Sequence, residues 1–197
     1  LYLSNERSDV QSTVRILCTR LKEPTIGDVR KLKKLLRYLS TTRRVGIVFN
    51  NEGVVDKVLE VFEDSDWATD TRTGKSTGGA VIMAGGCRLH AHSRGQDVVA
   101  LSSCESEYYS LVRSAGEAIG HRDTLKEIQL AYSIRLWTDA SAARGPALRT
   151  GGGQIKHMQA KRYWLQEFVK ANVLLLSLIP LLHVRRGPSA ESRRTPQ

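Results

Sequence analysis

Three acidic residues stand where the chain changes from one structural pattern to another. Asp64 follows an apolar run, Val58, Val61 and Phe62, that reads as a β-strand, and Asp139 follows a second such run, Ile134 to Thr138. Glu107 lies near the start of a helical segment, on a stripe with Leu111, Ser114 and Ala118 at steps of four, three and four residues. An acid on a sheet-facing stripe needs a partner, and a cation supplies one. If the two strands are neighbours, Asp64 and Asp139 emerge side by side and Glu107 completes a set of three carboxylates. Oxygen donors suit a hard divalent cation such as Mg²⁺. Two such ions a few ångströms apart would activate a water and stabilise the leaving oxygen in phosphodiester hydrolysis. Each acid also has an ordinary explanation, because acids are common at strand ends and those in a first helical turn answer the helix dipole.

Other groups point to chemistry less strongly. Asp64 and Asp66 would share a face within one strand, but a strand ending here sends them apart. His90 and His92 would face one side of a strand, a spacing that more often serves packing or solvent contact than a metal. Gly74, Lys75 and Ser76 look like the end of a phosphate loop, yet the glycine that loop requires five residues earlier is Thr69. No Ser, His, Asp nucleophile grouping can be placed, so ATP hydrolysis and acyl transfer are disfavoured. Cys18, Cys87 and Cys104 have no CxxC spacing, which indicates neither a disulfide framework nor a zinc knuckle and fits a reducing, intracellular compartment, expected to be cytoplasmic.

These residues must be held by elements that the hydrophobic pattern outlines. Val10, Val14, Leu17 and Leu21, then Val29, Leu32, Leu35, Leu36 and Leu39 after a break at Pro24 to Gly27, predict a helical hairpin. Strands are expected at Val58 to Phe62, Ser76 to Ala84 and Cys87 to Ser93, the last two joined by Gly85 and Gly86. A helix follows from Glu105 to Gly120, capped by Ser102 or Ser103, and continues after a break from Asp123 to Ala131. Next come the strand Ile134 to Thr138, a short Ala-rich helix stopped by Pro146, a glycine loop Gly151 to Gly153, a helix His157 to Ala171 and a strand Val173 to Ile179. The order is βββαβαβ, an α/β mixed sheet with packed helices, preceded by the helical hairpin.

Charge is distributed unevenly. The 197 residues carry a net charge of +10, of which residues 1–50 contribute +7 and residues 184–197 +3, while the middle is neutral with 15 acidic side chains. A basic balance implies a polyanionic partner, nucleic acid first. On the second helix Arg30, Lys31, Lys33, Lys34 and Arg37 crowd the faces that the leucines leave free, a surface that would either track phosphates or simply be solvated. The longest apolar run, Val173 to Leu182, is too short for a membrane span and is interrupted by Ser177 and Pro180, so no membrane partner is expected. Residues 184–197 read as a basic disordered tail, with too little apolar material to pack. The first residue is Leu1, which suggests a piece of a longer polypeptide.

In order along the chain, DSDWATD, GKSTGGAVIMAGG, VALSSCESEYYSL, LWTDASAA and IKHMQAKRYWLQE resemble the ribonuclease H domain of copia-type retrotransposon polyproteins. The stretches YLSNERSDVQ and KLKKLLRYL resemble the segment that joins the reverse transcriptase to that domain. The resemblance implies a C-terminal helical segment of reverse transcriptase over residues 1–50 and a ribonuclease H-like domain over residues 51–183. It implies a metal-dependent endonuclease that cuts the RNA strand of RNA/DNA hybrids using two Mg²⁺ ions, with Mn²⁺ as an alternative. The reverse transcriptase portion of the same polyprotein would be its partner. By that likeness Asp64, Glu107 and Asp139 take the positions of three metal-binding catalytic carboxylates. Glu105 is not carried over, because the family's acid directly precedes the aromatic, as Glu107 precedes Tyr108. Asp66 and Asp70 belong to the same motif without an assigned role. Lys156 and His157 match a Lys-His pair that serves substrate contact or helix capping, and Arg94 and Lys156 join the basic helix as candidate phosphate contacts.

Two departures stand out. The position after the Lys, His, hydrophobic run, an Asp in the family, is Gln159. Where the family continues into an ADxxTK-like helix with a fourth carboxylate, this chain reads LLHVRRGPSAESRRTPQ. The alternative reading is therefore a catalytically inactive, nucleic-acid-binding remnant of a transposon.

Overall fold

The computed structural model describes residues 2–47, 49, 56–139 and 159–179. Its elements are α1 (Tyr2–Glu6), α2 (Ser8–Thr19), α3 (Ile26–Thr41), β1 (Val58–Asp70), β2 (Lys75–Ala84), β3 (Cys87–Gly95), α4 (Ser103–Glu127), β4 (Ser133–Thr138), α5 (Gln159–Lys170) and β5 (Leu174–Leu178). The five strands form one sheet in the order β3-β2-β1-β4-β5. β1, β2 and β3 pair antiparallel, whereas β4 lies parallel to β1 and β5 parallel to β4. Connection length decides this mixture: Gly85 and Gly86, at φ 55° and 77°, close a two-residue hairpin between β2 and β3, while the parallel strands are reached by helical crossovers. This is the ribonuclease H-like α/β architecture. The Ala-rich helix, the Gly151 to Gly153 loop, Lys156, His157 and the basic tail lie outside the described residues.

The core lies between the sheet and α4. Alternate residues of each strand are buried: Leu59 and Val61 on β1, Ala80 and Ile82 on β2, Ile134 and Leu136 on β4, Leu174 and Leu176 on β5. They pack against Tyr108, Leu111, Ala115 and Ala118 of α4 and Leu165 of α5. Small residues bring α4 close to the sheet. Ser106 and Ser114 are fully buried, and a Cβ at Gly78 would lie 2.9 Å from Ser110 Oγ, so only glycine fits there. The Ser102 hydroxyl accepts from Glu105 N–H at the start of α4, and the Glu105 carboxylate in turn accepts from Leu101 N–H at 2.9 Å. Glu105 is thereby committed to capping.

α2 lies over the opposite face, where Gln11 Nε2 donates to the Ala91 carbonyl and Arg15 Nη2 donates to Thr77 Oγ1. α2 and α3 are joined by Arg7, which forms a fork on Asp9 and donates to Thr42, while Tyr38 O–H donates to the same Asp9. The Arg7 hydrogen bond, with that from Tyr38, holds the Asp9 carboxyl down at about 2. No helix among the described residues is long and apolar enough to cross a membrane.

The sequence-based outline needs four corrections. β1 does not end at Asp64 but runs to Asp70, because Asp64 and Asp66 keep pairing with Gly79 and Thr77 of β2; the two acids therefore share a face. α4 is one helix through Gly120 with no break, since the turns on either side supply its hydrogen bonds and the glycine costs only about 1 kcal/mol against alanine. Leu21 lies past the end of α2 and is 73% exposed. On α3, Val29, Leu32 and Leu36 are exposed instead of packed, because this helix meets the rest of the described chain through its contacts with α2.

Candidate metal centre

Parallel pairing of β1 with β4 sets Phe62 opposite Trp137. Two further steps in the same register bring Asp64 level with Asp139, just beyond the end of β4. Glu107, in the second turn of α4, approaches the same rim, and one carboxylate oxygen from each of the three lies within 4.8 Å of the others. Asp64 and Asp139 are exposed and Glu107 half-buried. The Ser110 hydroxyl donates to the Asp64 backbone carbonyl, and Ser65 Oγ lies 2.7 Å from Ser106 Oγ, so α4 fixes the middle of β1 at two points.

The electrostatics are those of an uncompensated acid cluster. Burial, with the charges of Asp64 and Asp139, pushes Glu107 up to about 7. Burial also raises Asp64, aided by Asp139 and Asp66 and opposed by the Ser65 N–H that donates to Asp64 Oδ1. Glu107 Oε2 is buried and meets no hydrogen-bond donor. A divalent cation would supply the missing partner and remove the repulsion, so these residues fit a bound metal. Asp70 plays a local part, accepting from Arg72 N–H and the Thr73 hydroxyl in the β1–β2 turn.

Sequence reasoning missed Glu63. It is 3% exposed, and burial pushes it up to about 8 despite the nearby Thr138 and Ser110 hydroxyls. Its alternation with Leu59 and Val61 was the available signal, since that period places it on the face under α4. Arg15 was also missed. It lines a groove of about 620 Å³ between α2 and the sheet that includes Asp64, Asp66, Thr69 and Thr77. None of Arg30, Lys31, Lys33, Lys34 and Arg37 lines this groove; all five are exposed on α3. Arg94 is exposed, with Nη1 3.8 Å from Glu117 Oε1. His90 and His92 do share a side of β3, where they meet Glu117.

A mixed five-stranded sheet with three acids gathered at one rim defines the chain as a ribonuclease H-like α/β protein. No protein-family model matches it. It is 32% identical over 146 residues to an uncharacterized mitochondrial protein of Arabidopsis thaliana, covering 74% of this chain and 53% of that one. It is 34% identical over 113 residues to secreted RxLR effector protein 161 of Plasmopara viticola, covering 57% and 78%. With the retrovirus-related Pol polyprotein from transposon RE2 of Arabidopsis thaliana it shares 28% identity over 179 residues, covering 88% of this chain and 12% of the polyprotein. This chain has retrovirus-related Pol polyproteins of Arabidopsis thaliana and Nicotiana tabacum transposons among its homologues. It spans about half the length of the Arabidopsis mitochondrial relative and a small part of the polyprotein. Among solved structures, RNase H1 from the halophilic archaeon Halobacterium salinarum matches with 14% identity and a TM-score of 0.47, covering 64% of this chain and 87% of that one.

Proposed function

We propose that this chain is a metal-dependent endonuclease that cleaves the RNA strand of RNA/DNA hybrids, as the ribonuclease H part of a retrotransposon polyprotein whose reverse transcriptase portion is its partner. The convergence of Asp64, Glu107 and Asp139 at the sheet rim carries this reading. These three would hold the metal, with Mg²⁺ favoured by all-oxygen donors and Mn²⁺ as the alternative. When bound, a pair of such ions lowers the barrier to phosphodiester hydrolysis by activating water and stabilising the leaving oxygen. The chain's own residues do the positioning. Glu107 must give up its proton for the cation, and Ser110 and Ser65 hold β1 against α4 so that Asp64 keeps its place. Arg15, Thr69 and Thr77 offer hydrogen-bond donors along the groove that leads to Asp64, where a phosphate backbone would run. Selectivity for the hybrid would come from helix shape and 2′-hydroxyls, with little sequence preference.

The second reading, an inactive nucleic-acid-binding remnant, is favoured by the composition of residues 180–197, which are basic and carry Glu191 as their one acid. An end-labelled RNA/DNA hybrid separates the two. The endonuclease reading expects Mg²⁺-dependent cutting of the RNA strand to 5′-phosphate products, abolished by chelator and by Asp64→Asn. Hybrid binding without metal-dependent cutting would overturn it in favour of the remnant.

A further inference from the structure

About 15 Å further along α4 than Glu107, the helix meets β3 at a second cluster of quite different composition. His90 and His92, alternate residues of the edge strand, pair with Ile82 and Ala80 and so point toward α4, where Glu117 lies between them. Glu117 Oε2 is 2.6 Å from His92 Nδ1 and 3.5 Å from His90 Nε2, and one ligand atom from each residue lies within 4.8 Å of the others. The contact is short but poorly aligned for a ring N–H. His92 Nδ1 and Glu117 Oε2 are both buried, and neither finds an aligned partner, although the His92 side chain is only 4% exposed. Arg94 Nη1 approaches the other oxygen of Glu117 at 3.8 Å, which leaves Oε2 for the histidines. His121 lies one helical turn beyond Glu117, its ring centroid 5.2 Å from that of His90.

We propose that His90, His92 and Glu117 form a second metal site, separate from the rim carboxylates, that takes a borderline divalent cation of the Zn²⁺ class, with His121 as the reachable fourth ligand. Two imidazoles and one carboxylate select such an ion over Mg²⁺, which prefers oxygen alone. Tetrahedral bonds of about 2.0–2.1 Å separate neighbouring donor atoms by about 3.3 Å, so the His92 to Glu117 contact opens by about 0.7 Å on binding, within reach of side-chain torsions. The cation satisfies both buried atoms at once and clamps the edge strand to α4. His90, one-third exposed, leaves the site open to solvent for entry.

Calorimetric titration of the full chain with Zn²⁺, in excess Mg²⁺ to occupy the rim, tests this. One equivalent should bind, with Co²⁺ giving the intense visible absorption of a tetrahedral nitrogen and oxygen site. His90→Asn and His92→Asn should each weaken Zn²⁺ by about 100-fold or more, and Asp64→Asn with Asp139→Asn should leave it unchanged. Circular dichroism checks that the metal-free variants fold, and the partly exposed His90 supplies a variant whose folding is not at stake. Absence of saturable Zn²⁺ binding would overturn the proposal and leave a buried polar contact between β3 and α4. Binding that survives both histidine variants, or that the aspartate variants remove, would overturn it as well.

Discussion

Glu107 and Glu117 lie on the same helix, each about half-buried, and their environments drive them in opposite directions. Burial raises Glu107 to about 7, and the neighbouring acids Asp64 and Asp139 add to the shift. Burial also works against ionised Glu117, but His92, Arg94 and His90 more than offset it, so this carboxyl falls below its ordinary value. Burial alone therefore does not determine what a glutamate on α4 can do; the strand it faces does. Where β4 ends beside the middle of β1, the helix meets oxygen donors, and where β3 runs along the sheet edge, it meets nitrogen donors.

Replacing Glu107 is the most damaging way to break this contrast. Glu107→Gln should lower Mg²⁺-dependent hybrid cleavage by about 10³-fold, a loss of about 4 kcal/mol in transition-state stabilisation, read from initial rates on labelled hybrid. Zn²⁺ affinity at the histidine cluster should stay unchanged in that variant. Leu111→Ala, at a fully buried position between the two glutamates, should destabilise the fold by about 2–5 kcal/mol in urea unfolding.

Acid–base behaviour sharpens the comparison further. Glu63 and Glu107 have folded values of about 8 and about 7 against an ordinary 4.5, so the stability they contribute is complete below about 4.5 and lost as pH rises through 7 and 8. Glu117, lowered, contributes stability present above 4.5 and lost as pH falls through its folded value. Thermal unfolding in chelator should therefore show stability declining from mildly acidic to alkaline pH. Glu63→Gln should flatten that decline more than Glu107→Gln, and Mg²⁺ should oppose it by favouring ionised Glu107. The smallest effect belongs to the cap: Ser102→Ala should cost about 1 kcal/mol, measured in the same unfolding experiment.

Much of this molecule is legible in its residue order. Alternation in STGGAVIMA and CRLHAHS, closed by two glycines, specifies a hairpin because only one register buries Ala80 and Ile82 together. Glu107 is separated from Glu105 by its stripe with Leu111 and, through the family resemblance, by its place before Tyr108; the capping bond that occupies Glu105 agrees with that separation. The end of β1 is not legible in the sequence because Asp64, Ser65 and Asp66 look like turn residues, whereas the partner strand β2 continues to pair with them. The leucine pattern of α3 promises a buried face that the structure leaves exposed, since a periodic pattern records only that a helix is amphipathic.

Local sequence determined the elements and the types of donor atom available, since strand alternation, helix stripes and caps depend on neighbours within a few residues. Tertiary structure decided which donors meet. Asp64 and Asp139 are 75 positions apart and are brought level by the parallel register of β1 and β4. His92 and Glu117 meet because small residues let α4 settle onto the sheet at close range. Such meetings depend on distances between elements far apart in the chain, and those distances are fixed by packing, to which residue spacing along a single strand or helix is blind.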